Sequence, residues 1–355
     1  MKIKDIVLGV VEAPLITPFK TALRTVESIR NIAIYVHTDD GQIGIGEAAP
    51  TAVITGETNA SITNAINEYI EPAIIGMDVE DISLIMERLD KSIYKNTSAK
   101  AAVDMAIYDL VAKRYQAPLY KLLGGYRKEL FTDITISVNE TDEMVKDSLA
   151  AVQRGFQILK IKVGKAPAGD IERIQAIRDA VGPTITLRVD ANQGWTPKEA
   201  VRIIRALEDA NTNIELVEQP VHYSDLEGMK YVTANTYTNI LADESVFSPK
   251  DAITIIEKRA ADFINIKLMK TGGIYQAQKI CNIAEANGIQ CMVGCMLETK
   301  ISVSAAAHFA ASQKNITMVD LDGPILCVKD PIAGGPIFNG QTISMLDEPG
   351  IGFSL

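Results

Sequence analysis

Three carboxylates recur at intervals of 28 and 25 residues: Asp190, Glu218 and Asp243. Each closes a short apolar run, in LRVD, IELVE and NILAD. A charge at the end of such a run is costly to bury unless it is paired or bound to a metal. Three carboxylates converging from neighbouring elements repel one another unless a cation sits between them. An all-oxygen set with room for water and substrate suits Mg²⁺. Taken singly, each could instead cap the following helix or pair with a lysine. Lysines close two further apolar runs, Lys162 in ILKIK and Lys267 in FINIK. Near a divalent cation an amine gives up its proton more readily, so such lysines can act as bases. The alternative is a structural ion-pair network with the carboxylates. Lys160 lies two residues before Lys162, and Asp320 and Asp322 form a second such pair. Alternation along a strand puts each pair on one face. Lys160 suits the second charge of a bound carboxylate. Two aspartates on one face suit a substrate ammonium, unless Lys267 or another protein cation neutralises them.

The runs that carry these residues are themselves periodic. Strands are expected at 133–138, 158–163, 185–190, 214–218, 239–243, 263–267, 291–295 and 317–321, with starts 24 to 29 residues apart. That interval holds one strand, one amphipathic helix and two short loops. Eight such units predict an α/β fold built on a parallel (β/α)8-type barrel. An open doubly wound sheet is the alternative, but no G-x-G-x-x-G follows the first strand. In a barrel, catalytic groups sit at the C-terminal strand ends, where all the residues above fall. The second and sixth of eight strands face each other across the axis. Lys162 and Lys267 then address one substrate from opposite faces, a layout for removing a proton from one side of a carbon and delivering one to the other. A cation among the three carboxylates could hold a substrate carboxylate and stabilise the enediolate formed on loss of the α-proton.

Before the barrel, residues 2–13 and 31–38, the Asp40-Gly41 turn and QIGIGEA read as β structure. Helices follow from about 57 to 123, the clearest being AKAAVDMAIYDLVAKRYQ, and Gly124-Gly125 ends them. The expected division is an α+β capping domain at 1–125, a catalytic barrel at 126–330, and a segment at 331–355 that returns to the cap.

The chain has 355 residues, 47% of them hydrophobic and 23% charged, the balance of a folded enzyme. Its net charge of −10 argues against nucleic acid or an anionic membrane as the main partner. Cys281, Cys291, Cys295 and Cys327 form neither a disulfide scaffold nor a zinc-finger spacing, and reduced, buried thiols fit a cytoplasmic protein. No apolar stretch approaches the ~18 residues of a membrane span, and the N-terminal apolar run is too short for a signal peptide. His37, His222 and His308 read as scaffold or surface residues.

With these residues in place, the chain resembles the enolase superfamily in its muconate-lactonizing subgroup, over essentially its whole length. The marks are K-x-K at Lys160–Lys162, the acidic residues of VDAN, VEQP and ADES, and Lys267 in NIKLMKTGG. Such sites use a lysine or histidine base with Mg²⁺ to stabilise an enediolate. The pair Asp320-x-Asp322 in VDLDGP resembles the mark of dipeptide epimerases. The resemblance implies one Mg²⁺ per subunit on Asp190, Glu218 and Asp243. It also implies Lys162 and Lys267 inverting the C-terminal α-carbon, and the two aspartates on the dipeptide ammonium. Thr135 and Cys295 are then expected to line the pocket. A nucleophilic role for Cys295 has little behind it, with no histidine nearby in sequence. Specificity is expected from loops at 15–27 and 51–57. Arg24 could pair with the side-chain carboxylate of a C-terminal Glu, or be a solvated loop charge, while Phe19 and Ile54 suit an apolar side chain. The resemblance implies a small dipeptide as substrate, L-Ala-L-Glu or a relative, hence peptidoglycan peptide recycling, and a homo-oligomer. A cycloisomerase or o-succinylbenzoate synthase of the same subgroup would need the metal and lysines but gives the aspartate pair no task. A non-catalytic binding protein on the same barrel is a third reading.

Overall fold

Apolar residues alternate through the first strands of the chain and pair them into a sheet that one buried helix covers. The computed structural model describes residues 1–354. β1 (Ile3–Lys20), β2 (Thr25–Thr38) and β3 (Ile43–Ala48) form an antiparallel sheet in that order. On β2, Ile32, Ile34 and Val36 turn to the core. On β3, Gly44 and Gly46 let the sheet meet the helix Thr97–Arg114 backbone to backbone. A Cβ on either would stand 2.2 or 1.9 Å from the carbonyl oxygens of Ala106 and Ala102. That helix is buried on nearly every face, because the sheet lies on one side and the barrel on the other. Its two internal aspartates serve the junctions. Asp109 accepts from the amides of Ile45 and Ile351. Asp104 accepts from Ile274 and Tyr275, which open the barrel helix Ile274–Ala286, where unpaired amides favour a carboxylate.

β1 and β2 run further than their sequence patterning indicates. Residues 15–20 and 25–27, expected as loop, are strand, and only Thr21–Arg24 turn. Pro14 and Pro18 break the alternation but stand on an edge strand, where a missing amide costs little, and the pairing shifts register between Pro14 and Phe19. The long hairpin therefore reaches from the cap onto the barrel. There Val138 donates to the Lys20 carbonyl, and Lys20 Nζ lies 2.6 Å from Asn139 Oδ1.

After β4 (Glu129–Phe131) come eight parallel strands: β5 (Ile134–Ile136), β6 (Ile158–Lys162), β7 (Thr186–Asp190), β8 (Ile214–Glu218), β9 (Asn239–Ala242), β10 (Phe263–Lys267), β11 (Gln290–Gly294) and β12 (Ile316–Asp320). They neighbour one another in chain order, and a bridge between Thr132 and Val319 joins the two ends, nearly closing the barrel. All eight match the expected runs to within three residues. A helix follows each of the first seven, several opened by a side-chain cap: Thr196 on Glu199, Asp225 on Gly228, Ser248 on Asp251. β12 leads instead into a short 3₁₀ turn, Gly323–Leu326. β13 (Ile337–Asn339) pairs with β14 (Thr342–Ser344), β14 pairs with β4, and Gly350 exchanges backbone hydrogen bonds with the cap at Ala117 and Leu119. Strand register sets the site: Lys162 lies beside Asp190, Asp190 beside Glu218, Lys267 beside Gly294 and Gly294 beside Asp320.

His308 ties its own helix to the end of the cap and gives the fold a pH dependence. It is buried on the helix Lys300–Ser312, and its Nδ1 accepts from the Tyr120 amide at 3.0 Å. Burial pushes its pKa down to about 3. Between an unfolded value near 6.5 and that value, the unfolded chain binds a proton that the folded chain refuses. Stability is therefore lost as pH falls below ~6.5, by about 2 kcal/mol from this group at pH 5. Urea denaturation of wild type and His308→Gln at pH 7 and pH 5 should show that share missing from the variant. Equal pH dependence in both would refute the assignment.

Candidate active site

The charges that close β6 to β10 and β12 meet in one buried cluster. Lys162 Nζ lies 2.6 Å from Asp190. Lys160 Nζ sits among Asp320 at 2.6 Å, Glu218 at 2.7 Å and Asp190 at 3.2 Å. Lys267 Nζ is 2.7 Å from Asp243 and 3.9 Å from Glu218. Charges this deep persist only with close opposite partners. Burial alone would raise the Asp243 carboxyl, but the ammoniums of Lys267 and Lys270 override it and hold it below the ordinary range. Burial would likewise lower the Lys267 ammonium, and the Asp243 carboxylate holds it well above the usual lysine range instead. Glu218 is pushed up, by burial first and then by the charge of Asp190.

Four polar residues belong to this cluster that the strand-end reading did not single out. Lys270 Nζ is 2.6 Å from Asp243 Oδ1. Asn265 donates to Glu218 Oε1 at 2.8 Å. The Asn192 amide N–H donates to Asp190, and the Asn192 side chain donates to Glu244 at 3.3 Å. Asn265 was within reach of the sequence, since it stands two before Lys267 on the same face. Asn192 and Glu244 adjoin the acidic marks in VDAN and ADES. Lys270 enters only through the helical turn Leu268–Thr271.

Among the described residues, no three His, Cys, Asp or Glu side chains already stand close enough to hold a metal ion. The lysine ammoniums lie between the carboxylates instead and carry the counter-charge. The donor chemistry nonetheless fits a hard divalent cation. Asp190, Glu218 and Asp243 offer only oxygen, and the buried oxygens Asn192 Oδ1, Glu244 Oε2 and Asn265 Oδ1 beside them have no hydrogen-bond partner. Oxygen ligands of this kind suit Mg²⁺.

Above the cluster lies a cleft. Its floor includes Lys160, Lys162, Lys267, Asp320 and Asp322. The hairpin turn contributes Phe19, Thr21, Leu23 and Arg24, and the second cap loop Thr51, Val53 and Ile54. Thr135 and Cys295 line its wall. Ile161, between the two lysines, packs in the core outside the cleft. Asp320 pairs with Lys160, so the protein-cation alternative for that residue is realised. Asp322 has no ion-pair partner among the described residues. It accepts the Thr135 amide at 2.7 Å and is pushed up to about 6 by burial and by the charge of Asp320. Burial holds the Cys295 thiol well above its ordinary value, contrary to what a thiolate nucleophile needs. Arg24 is half-buried at the cleft and has no carboxylate within ion-pair distance among the described residues.

Residues 5–124 match the family described as mandelate racemase / muconate lactonizing enzyme, N-terminal domain, and residues 143–355 match that described as enolase C-terminal domain-like. The chain belongs to the enolase superfamily. This superfamily chain is 55% identical over 352 residues to L-Ala-D/L-Glu epimerase of Clostridium acetobutylicum, covering 99% of this chain and 98% of that protein. It is similar to the substrate-liganded L-Ala-D/L-Glu epimerase from Bacillus subtilis, with TM-score 0.98, 52% identity and coverage of 99% and 98%. It is also similar to the dipeptide epimerase from Enterococcus faecalis V583 complexed with Mg and L-Leu-L-Tyr, with TM-score 0.97, 46% identity and full coverage of both chains. No described helix is long and apolar enough to cross a membrane.

Proposed function

We propose that this chain is a Mg²⁺-dependent dipeptide epimerase that inverts the α-carbon of the C-terminal residue. The observation that carries the reading is the meeting in one cleft of two lysines from strands four apart with Asp322, a carboxylate with no ion-pair partner among the described residues. Asp322, with Asp320 beside it, receives the dipeptide ammonium and so sets which end of the substrate lies over the lysines. Mg²⁺ held by Asp190, Glu218 and Asp243 would supply positive charge beside the substrate carboxylate, which stabilises the enediolate. Lys160 adds an ammonium on the same side. One lysine Nζ, as the free amine, takes the α-proton; the other, as ammonium, delivers a proton to the opposite face. The sum is inversion with no net change in protons. A cycloisomerase or o-succinylbenzoate synthase would leave the aspartate pair without a ligand.

The preferred substrate follows from Arg24. A half-buried guanidinium with no carboxylate in ion-pair reach among the described residues suits the side-chain carboxylate of a C-terminal Glu, and we assign L-Ala-L-Glu as the substrate. That substrate, with four buried and unpaired cysteines, supports a cytoplasmic role in recycling peptidoglycan peptides. We also propose the division into a cap at 1–125, a barrel at 126–330 and a returning segment at 331–355. Chiral chromatography with Mg²⁺ should show L-Ala-D-Glu forming from L-Ala-L-Glu, with EDTA stopping it. In Arg24→Met, kcat/KM for Ala-Glu should fall roughly 10- to 100-fold through loss of a charge-assisted contact. Turnover of L-Leu-L-Tyr should change little. Equal effects on both dipeptides would remove Arg24 from specificity.

A further inference from the structure

Gly294 ends β11 in register with Lys267 on one side and Asp320 on the other. Its φ lies outside the left-handed region, so backbone conformation does not call for glycine there. What calls for it is space. A Cβ at 294 would stand 2.9 Å from Lys267 Cε, 2.9 Å from Asn265 Oδ1 and 3.1 Å from Asn265 Nδ2. No backbone atom is among these nearest contacts. A side chain at 294 would therefore meet two side-chain ends of β10, the Lys267 stem and the Asn265 amide, before any backbone atom. Lys162, on β6, is not among these contacts.

We propose that Gly294 is a positioning residue for Lys267: its missing side chain is the slot through which the lysine stem reaches the cleft. The inference rests on the two-lysine reading above and deepens it, because it makes one proton-transfer face depend on a residue that touches no substrate. The consequence is asymmetric. Displacing Lys267 impairs exchange of the α-proton on the face it serves and leaves the face served by Lys162 in working order. A merely structural role for Gly294 would depress both faces together.

The test follows solvent deuterium entering L-Ala-L-Glu and L-Ala-D-Glu separately, by ¹H NMR in D₂O with Mg²⁺. Lys267→Ala identifies the epimer that Lys267 deprotonates, as the one whose exchange is lost. In Gly294→Ala, exchange of that epimer should fall roughly 100-fold, the scale of an ångström-sized misplacement, while the other stays within about 2-fold of wild type. If Gly294→Ala does not fold, Asn265→Ser/Gly294→Ala removes the amide contact and keeps the lysine contact, and the ratio of the two epimers is read against Asn265→Ser alone, because Asn265 donates to Glu218. Equal losses on both epimers, or no loss on either, would overturn the inference. So would failure of both variants to fold, since the lysine and not the barrel must yield. If wild type exchanges neither epimer, the reading beneath it fails and takes the inference with it.

Discussion

Lys162→Ala and Lys267→Ala each lose epimerisation by at least about 10³-fold, the scale of removing a general acid or base. The losses do not come from unfolding, because each partner carboxylate keeps a cation. Without Lys162, Asp190 still has Lys160 at 3.2 Å; without Lys267, Asp243 still has Lys270 at 2.6 Å. Thermal melts should therefore show cooperative unfolding in both. Each variant should retain deuterium exchange on one epimer only, and the two variants should retain opposite epimers, because one lysine still serves its own face. Chiral chromatography and ¹H NMR read the two effects separately. Epimerisation within 10-fold of wild type in either variant would exclude two-base transfer.

Asp322→Asn raises the KM for L-Ala-L-Glu by roughly 30- to 100-fold, the worth of a charge-assisted hydrogen bond to an ammonium. Asparagine keeps the shape and can still accept the Thr135 amide, so the loop after β12 stays in place. Asp322 is the sharper choice than Asp320, because Asp320 already pairs with Lys160 and its loss would change that ion pair as well as any contact to the substrate ammonium. The effect should lie mainly in KM, since the ammonium is bound alike in ground and transition states. A KM within 3-fold of wild type would leave the aspartate pair without a substrate role and reopen the cycloisomerase reading.

The barrel was legible because parallel strands buried on both faces read as short apolar runs, and βα units of similar length space them evenly. The charged cluster was legible because a charge that closes an apolar run breaks the pattern, as Asp190, Glu218 and Lys267 do. Less was visible where structure comes from packing across the chain. Asn192 and Glu244 look like ordinary loop polars until the fold buries them beside the carboxylates. Lys270 becomes a partner of Asp243 only through one helical turn. The hairpin from Leu15 to Glu27 reads as loop because Pro14 just before it and Pro18 within it interrupt the alternation, yet edge position keeps the pairing. Lys160 was legible as a cleft residue, but three carboxylates around one ammonium is a fact of side-chain geometry that spacing does not carry.

The most direct test of the central claim is solvent exchange by the wild-type enzyme in D₂O with Mg²⁺, using L-Ala-L-Glu and L-Ala-D-Glu as separate substrates. The Glu α-proton should be replaced by deuterium from either epimer, both solutions should reach the same mixture, and the Ala α-proton should be untouched. Exchange from neither epimer, or exchange at the Ala α-carbon, would contradict it.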